Sequence, residues 1–357
     1  MNAVTRRAVI ATAAVSMALS LAACGQAGGD KKDDAAGSGS STKIGLLLPE
    51  NKTSRYEALD KPQFEKAVKA ACGDCEVVYN NAVSDVVKQK QQFDQFIADG
   101  IKVIALDPVD ATKAESWVKD AKAKGVKVVA YDRAVKGADA YVSHDNNKVG
   151  ELQGQALLAA LGDKAATANV VMINGDEKDP NAALFKKGAH TALDGKVGKI
   201  AYEASGEWDP KIAGEKMSAA ISSVGKDKIG AVYSANDGMA GGIVTSLENA
   251  GIKGIPVGGQ DAEVAGVQRI IAGTQTFTIY KSPLQLAPEA AKFAVNLLQG
   301  KALGAEGETD GVPSTLFPPV VVDSKNIQDT VVKDGIYKAA DLCTADLAAK
   351  CTELGIK

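Results

Sequence analysis

Residues able to recognise a small polar molecule recur at one kind of place in this chain, just after short β-branched runs. Ser54-Arg55-Tyr56 follows the first run and Tyr131-Asp132-Arg133 the fourth. Asp179-Pro180-Asn181 comes shortly after the fifth, Glu207-Trp208-Asp209 after the sixth and Asn236-Asp237 after the seventh. Gln260-Asp261 and Tyr280-Lys281 close the eighth and ninth. The set holds carboxylates, amides, Arg, Lys and aromatic rings, with few hydroxyls and no His. Such a mixture suits a neutral polyol, whose hydroxyls donate to carboxylates and accept from Arg, Lys or amides. An aromatic face suits the apolar C–H face of a ring. A single Asp or Asn after a strand is explained as a helix N-cap. Asp132, Arg133, Asp179, Asn181, Asn236, Asp261 and Lys281 together are not, because Arg and Lys do not cap helix N-termini.

Motifs for bond-making chemistry are missing. No G-x-G-x-x-G follows a strand and there is no P-loop, so a phosphate cradle is lacking. There is no G-x-S-x-G elbow. The only histidines are His144 and His190. His190 sits in a helical, surface context, and His144 lies near a crossing between domains, within reach of a cleft. Neither has a partnered Ser or Cys, so the chain reads as a non-enzyme with no cofactor and no metal. With 41 basic and 44 acidic residues and no basic tract, nucleic acid is not a partner. Cys72-x-x-Cys75 follows a helix rather than opening one, which removes the helix-terminus effect that activates a redox thiol. Cys72, Cys75, Cys343 and Cys351 instead predict two local disulfides in an exported protein.

The elements that must hold these residues alternate almost without interruption. Strands are predicted at 43–48, 76–80, 102–106, 126–131, 168–174, 199–204, 229–234, 255–259 and 276–280. Periodic helical segments lie between them, for example 55–71, 146–161, 180–193 and 284–299. Regular βαβ alternation means parallel sheets covered by helices. The chain length and a break around 133–145 favour two sheets. In such sheets ligands bind outside the carboxyl ends of the strands, where the polar residues collect. Trp117, in mid-helix, is expected to pack on a helix face.

The N-terminus supplies an address. Arg6 and Arg7 precede an apolar run from Ala8 to Leu21, then Leu21-Ala22-Ala23-Cys24. The run is shorter than the roughly 20 residues a membrane span needs and reads as a signal peptide, 1–23. Its end resembles the lipobox of bacterial lipoproteins, which implies lipidation of Cys24 and an extracytoplasmic, membrane-anchored protein. The twin arginines also permit export of a folded protein. Residues 24–42, small and polar, predict a tether reaching about 20–25 Å.

The body, from about Lys43 to Lys338, resembles the periplasmic sugar-binding proteins of ABC transporters, with the type I, ribose-binding-like fold. Within them it is most similar to the xylose-binding and multiple-sugar-binding group. The resemblance is carried by Tyr131-Asp132-Arg133, by Ser143 through Gln153, by Asn236-Asp237, by Gly259 through Lys281 and by Asp329 through Gly335. It implies two doubly wound parallel-sheet lobes joined by a three-crossing hinge, with crossings near Ser143, Thr278–Tyr280 and Leu316–Pro318. The lobes would be 43–142 plus 281–316 and 143–280 plus 317–340, with a C-terminal extension at 341–357. Arg55 and Arg133 would donate to the sugar, Asp132, Asp179 and Asp261 would accept from it, and Asn181, Asn236 and Lys281 would complete the network. Trp208 would cover one ring face and Tyr56 the other. The implied protein is a monomeric receptor that delivers a monosaccharide, xylose or a related aldose, to a membrane permease. The alternative is a sensor that presents the sugar to a membrane kinase. A transcription regulator of the same fold would need an N-terminal helix-turn-helix where this chain has a signal.

Overall fold

The structure, a computed structural model, describes residues 42–357. The signal segment, Cys24 and nearly all of the tether lie outside the described residues. The chain opens with β1 (Lys43–Leu48); a π-type turn at Tyr56–Asp60 then runs straight into α1 (Lys61–Ala71). Next come β2 (Glu76–Asn81), α2 (Val86–Ala98), β3 (Val103–Leu106), α3 (Ala111–Ala123), β4 (Lys127–Tyr131) and β5 (Ala140–His144). The middle of the chain holds α4 (Asn146–Leu161), β6 (Asn169–Asn174), α5 (Pro180–Leu193), β7 (Lys199–Ser205), α6 (Pro210–Val224), β8 (Ile229–Ser234) and α7 (Asp237–Asn249). Then follow α8 (Val264–Ala272), β9 (Phe277–Tyr280), α9 (Pro283–Leu298), β10 (Gly307–Thr309), β11 (Val312–Phe317), β12 (Val320–Asp323), α10 (Ala339–Leu342) and α11 (Ala348–Glu353). No described helix is long and apolar enough to cross a membrane.

The strands form two main layers. In the first the order is β10-β11-β5-β4-β3-β1-β2, parallel throughout except for the β10 edge. Its central strands are apolar on both faces, as helices on either side require. One face packs on Leu286, Ala290, Phe293 and Ala294 of α9 together with Phe64 and Val68 of α1. The other packs on Phe93, Phe96, Trp117 and Val118 of α2 and α3. Trp117 meets Phe93 at a ring-centroid distance of 6.1 Å, a core contact as expected.

The second layer is the parallel β7-β6-β8 group, sealed by α4, α5, α6 and α7. The strand predicted at 255–259 is reduced to a single bridge, Val257 to Val232. Pro256 has no N–H to give a ladder, but the backbone bonding continues. Gly258 N donates to Val232 O at 3.0 Å, Thr276 N to Val257 O at 2.8 Å and Ile279 N to Gly259 O at 3.1 Å. Those bonds tie β8 through 257–259 to the antiparallel pair β9–β12.

The break read at 133–145 needs correcting, since it contains β5. Charged and glycine residues just before Ala140 disguise a strand that is buried between β4 and β11. The chain passes between the layers three times: from β5 into α4, from β9 into α9 and from β11 into β12. Cys72–Cys75 and Cys343–Cys351 are both disulfide-bonded. The second lies in a C-terminal segment whose Leu342, Leu347 and Ile356 pack on Val267, Ile270 and Ile271 of α8.

Candidate functional site

Loops at the carboxyl ends of strands from both layers converge on one small cavity. All ten residues singled out as ligand contacts line it: Arg55, Tyr56, Asp132, Arg133, Asp179, Asn181, Trp208, Asn236, Asp261 and Lys281. None is more than 7% exposed. The cavity is about 20 Å³, roughly the space of one water, so opposing side chains meet directly. The Arg55 guanidinium pairs with Asp132, donates to Asp60 Oδ2 at 2.7 Å and lies 3.5 Å from Asp261 Oδ1. Arg133 Nε is 3.0 Å from Asp179 Oδ2 and 3.3 Å from Asp107 Oδ1, while Nη1 donates to Pro108 O at 2.9 Å. Asn181 Nδ2 donates to Asp132 Oδ1 at 3.2 Å, and Lys281 Nζ is 3.1 Å from Asp261 Oδ1. Arg55 with Asp261, Arg133 with Asp179, and Asp132 with Asn181 each join a loop of the first layer to one of the second.

Local structure explains how these groups are aimed. Asp179 and Asn236 are N-caps after all, accepting from Asn181 N and Met239 N. Asp179 nonetheless caps with Oδ1 and turns Oδ2 to Arg133, so one carboxylate serves both purposes. Asp132, Trp208 and Asp261 cap nothing. They sit at φ of 60°, 55° and 92°, in the left-handed region that non-glycine residues occupy at a cost of about 1–3 kcal/mol each. Trp208 lies against Gly175, where a Cβ would come within 2.0 Å of the indole Cζ2. The Arg55 guanidinium stands 4.6 Å over the Tyr56 ring, so this face already carries a cation.

Burial governs the electrostatics. It pushes the Asp107 carboxyl up to about 7 against the pull of Arg133, and raises Asp60 against that of Arg55. Burial lowers the Lys281 ammonium, with Asp261 opposing the shift. Burial, reinforced by Lys281 and Arg55, holds His144 well below the usual imidazole range. His144 lies outside the cavity lining, its ring against Phe317. Trp208 Nε1, a donor, and Gln260 Oε1, an acceptor, are buried without a hydrogen-bond partner among the described residues. The site therefore keeps both a donor and an acceptor in reserve.

Four contributors escaped the sequence reading. Thr53 and Phe185 line the cavity, and Asp107 and Asp60 lie behind it. Phe185 is four residues after Asn181 on α5, hence on the same face, and its ring stands edge-on to Trp208 at 6.3 Å. Asp107 follows β3, a strand end that the reading passed over. Asp60 lies inside a helical stretch and carries no local signal.

Residues 44–302 match a periplasmic binding protein domain family. The chain belongs to that family. It is 36% identical to the D-xylose-binding periplasmic protein of Escherichia coli K12 over 312 residues, 84% of this chain and 92% of that protein. It is 30% identical to a multiple sugar-binding periplasmic receptor of Rhizobium radiobacter, covering 84% of this chain and 92% of the receptor. The fold is similar to that of a carbohydrate-transporter solute binding protein of Chloroflexus aurantiacus, solved in complex with D-glucose. The TM-score is 0.76, the identity 29%, and the match covers 84% of this chain and 97% of that one. This periplasmic binding protein thus has the type I fold of solute-binding proteins, and its relatives are binders rather than enzymes.

Proposed function

We propose that this chain is the sugar receptor of an ABC transporter and captures a monosaccharide, xylose or a related aldose, between two lobes. The lobes are 43–142 plus 281–316 and 143–280 plus 317–340, and the extension 341–357 buttresses the second. The observation that carries the reading is the set of Arg–carboxylate and Asn–carboxylate pairs that cross the cleft inside one buried cavity. A sugar hydroxyl both donates and accepts, so it can stand between the members of such a pair and satisfy each. Arg55, Arg133, Asn181, Asn236 and Lys281 supply donors, and Asp132, Asp179 and Asp261 supply acceptors. Trp208 covers one face of the ring, and Tyr56, with the Arg55 guanidinium over it, borders the other. A ring enters when the lobes part and is gripped when they close. The same reading places the protein outside the cytoplasm as a monomer, held to the membrane by a lipid on Cys24, and hands the sugar to a permease.

Calorimetric titration with xylose, ribose, arabinose, galactose and glucose tests the ligand. Saturable binding of at least one aldose is expected, and no binding of any would overturn the reading. The anchor is tested separately by Cys24→Ala, which should release the protein from membranes or block its processing. Wild-type fractionation of that variant would remove the anchor from the proposal.

A further inference from the structure

The lobes also touch outside the sugar cavity, and the contacts come from one loop. Residues 49–55, following β1, are bent by Glu50, whose Oε2 accepts from the backbone N–H groups of Lys52 and Thr53. The bend presents two neighbours to the second lobe. Ser54 N donates to Glu263 Oε1 at 2.9 Å, and Lys52 Nζ lies 2.7 Å from Asp209 Oδ2. Glu263 is absent from the cavity lining yet only 6% exposed. It is also braced from behind. Its own N–H donates to Asp237 Oδ2 at 3.0 Å, and Asp237 is held by Gln275 Nε2 at 2.6 Å and Thr278 Oγ1 at 2.9 Å. Gly259 and Gly266 make room for that carboxylate, since a Cβ at either would come within 2.3 Å of it.

We propose that Glu263 is a closure latch, a positioning residue that holds the lobes shut by accepting from Ser54 while touching no ligand. The proposal rests on the reading that the lobes part and close around a sugar. Ser54 adjoins Arg55, so the latch sets the loop that delivers the guanidinium to the cavity. Lys52 with Asp209 is a second, wetter contact on the same loop, and its side chains are 35% and 22% exposed. Such a pair is weak and screened by salt. In the latch only the Ser54 side is exposed, and the Glu263 carboxylate is buried.

Closure has a proton consequence. Asp237 of α7, Asp261 beside it, Arg269 of α8, Tyr337 of the C-terminal segment and Ser54 of the first lobe face the Glu263 carboxyl. Burial, with Asp237 and Asp261 adding to it, pushes that carboxyl up to about 8 in the closed form. Parted lobes return it to water, where a Glu titrates near about 4.3. Closing therefore takes up a proton between those values, and affinity falls as pH rises through that window, by at most about tenfold per pH unit for one proton.

The test is calorimetry of wild type, E263A and E263Q with the aldose that wild type binds best, from pH 5.5 to 8.5. E263A removes the acceptor and should bind about tenfold more weakly than E263Q at every pH in that range, with less compaction by small-angle scattering at saturation. E263Q keeps an acceptor oxygen and cannot titrate. It should bind more tightly than wild type, and the gap should widen from pH 5.5 towards pH 8. Equal affinity in E263A and E263Q, or a wild-type-to-E263Q ratio that stays flat with pH, overturns the latch. Should E263A fail to fold, the E263Q ratio decides alone. If wild type binds no aldose at all, the fault lies with the functional reading rather than with Glu263.

Discussion

At the scale of single residues, the site is made of charges that could not be buried alone. Removing one partner of a buried ion pair leaves the other uncompensated, at a cost of about 3–5 kcal/mol. Arg133 meets Asp179 across the cleft and Asp107 on its own side, and Asp261 meets Lys281 and Arg55, both across the cleft. Arg133→Ala and Asp261→Ala should each weaken sugar binding about ten- to a hundredfold, the worth of a charged hydrogen bond. Calorimetry on variants first shown by circular dichroism to be folded reads this out. Unchanged affinity in both would remove the cavity from the proposal. These residues were legible because strand ends are few and their side chains unusual there. Phe185 was not, because an apolar residue in a helix signals core whether it faces a sheet or a ligand. Asp60 was hidden for a related reason: its partners, Arg55 and Tyr131, come from a neighbouring turn and from β4, and only the fold brings them together.

At the scale of elements, glycines decide how closely the helices that carry the site can approach. A Cβ on Gly188 of α5 would sit 2.1 Å from Asn147 O, and one on Gly150 of α4 would sit 2.0 Å from Phe185 O. Backbone cannot yield as a flexible side chain can. That tight crossing holds Asn146 Nδ2 at 2.8 Å from Asn181 Oδ1 and seats Phe185 in the cavity wall. Gly188→Ala should therefore destabilise by about 1–3 kcal/mol, as overpacking does, and weaken sugar binding with it, in a urea melt and a titration of the same sample. Stability equal to wild type would mean that α4 and α5 shift apart at little cost. Helix spans were legible almost to the residue because their apolar periodicity is long. Short strands were less so: β5, β10, β11 and β12 carry too few residues to show a period. β11 gains its place only by pairing with β5, far away in sequence.

At the scale of the whole molecule, buried carboxyls make stability depend on pH. Burial lifts Asp107 and Asp237 to about 7, above the ordinary carboxylate range that they regain on unfolding. The folded state then holds protons that the unfolded chain releases. Their contribution is complete below about pH 4 and is lost as pH rises through about 7. Glu203 has the opposite sign: although its part-burial raises its pKa, hydrogen bonds from Lys186 and Asn174 lower it further, so its stabilisation is lost in acid. Melting temperature should peak in mild acid and decline towards pH 8, with Asp237→Asn flattening part of the decline. A melting temperature that rises steadily from pH 5 to 8 would contradict these shifts.

The same scale holds the consequence of having contacts that exist only between lobes. Arg55 with Asp261, Arg133 with Asp179, Asn181 with Asp132 and Glu263 with Ser54 all break together when the cleft opens. Opening exposes several charges to water, which favours it, and forfeits the pairs, which opposes it. On the proposed two-lobe reading, a ligand that touches both lobes draws the population to the closed form. Small-angle scattering should show the radius of gyration fall as the bound aldose approaches saturation. The change should follow the calorimetric isotherm rather than sugar concentration as such, and a non-binding sugar at equal concentration should leave the radius unchanged. Tight binding with no compaction would leave the ligand class standing and remove the two-lobe grip.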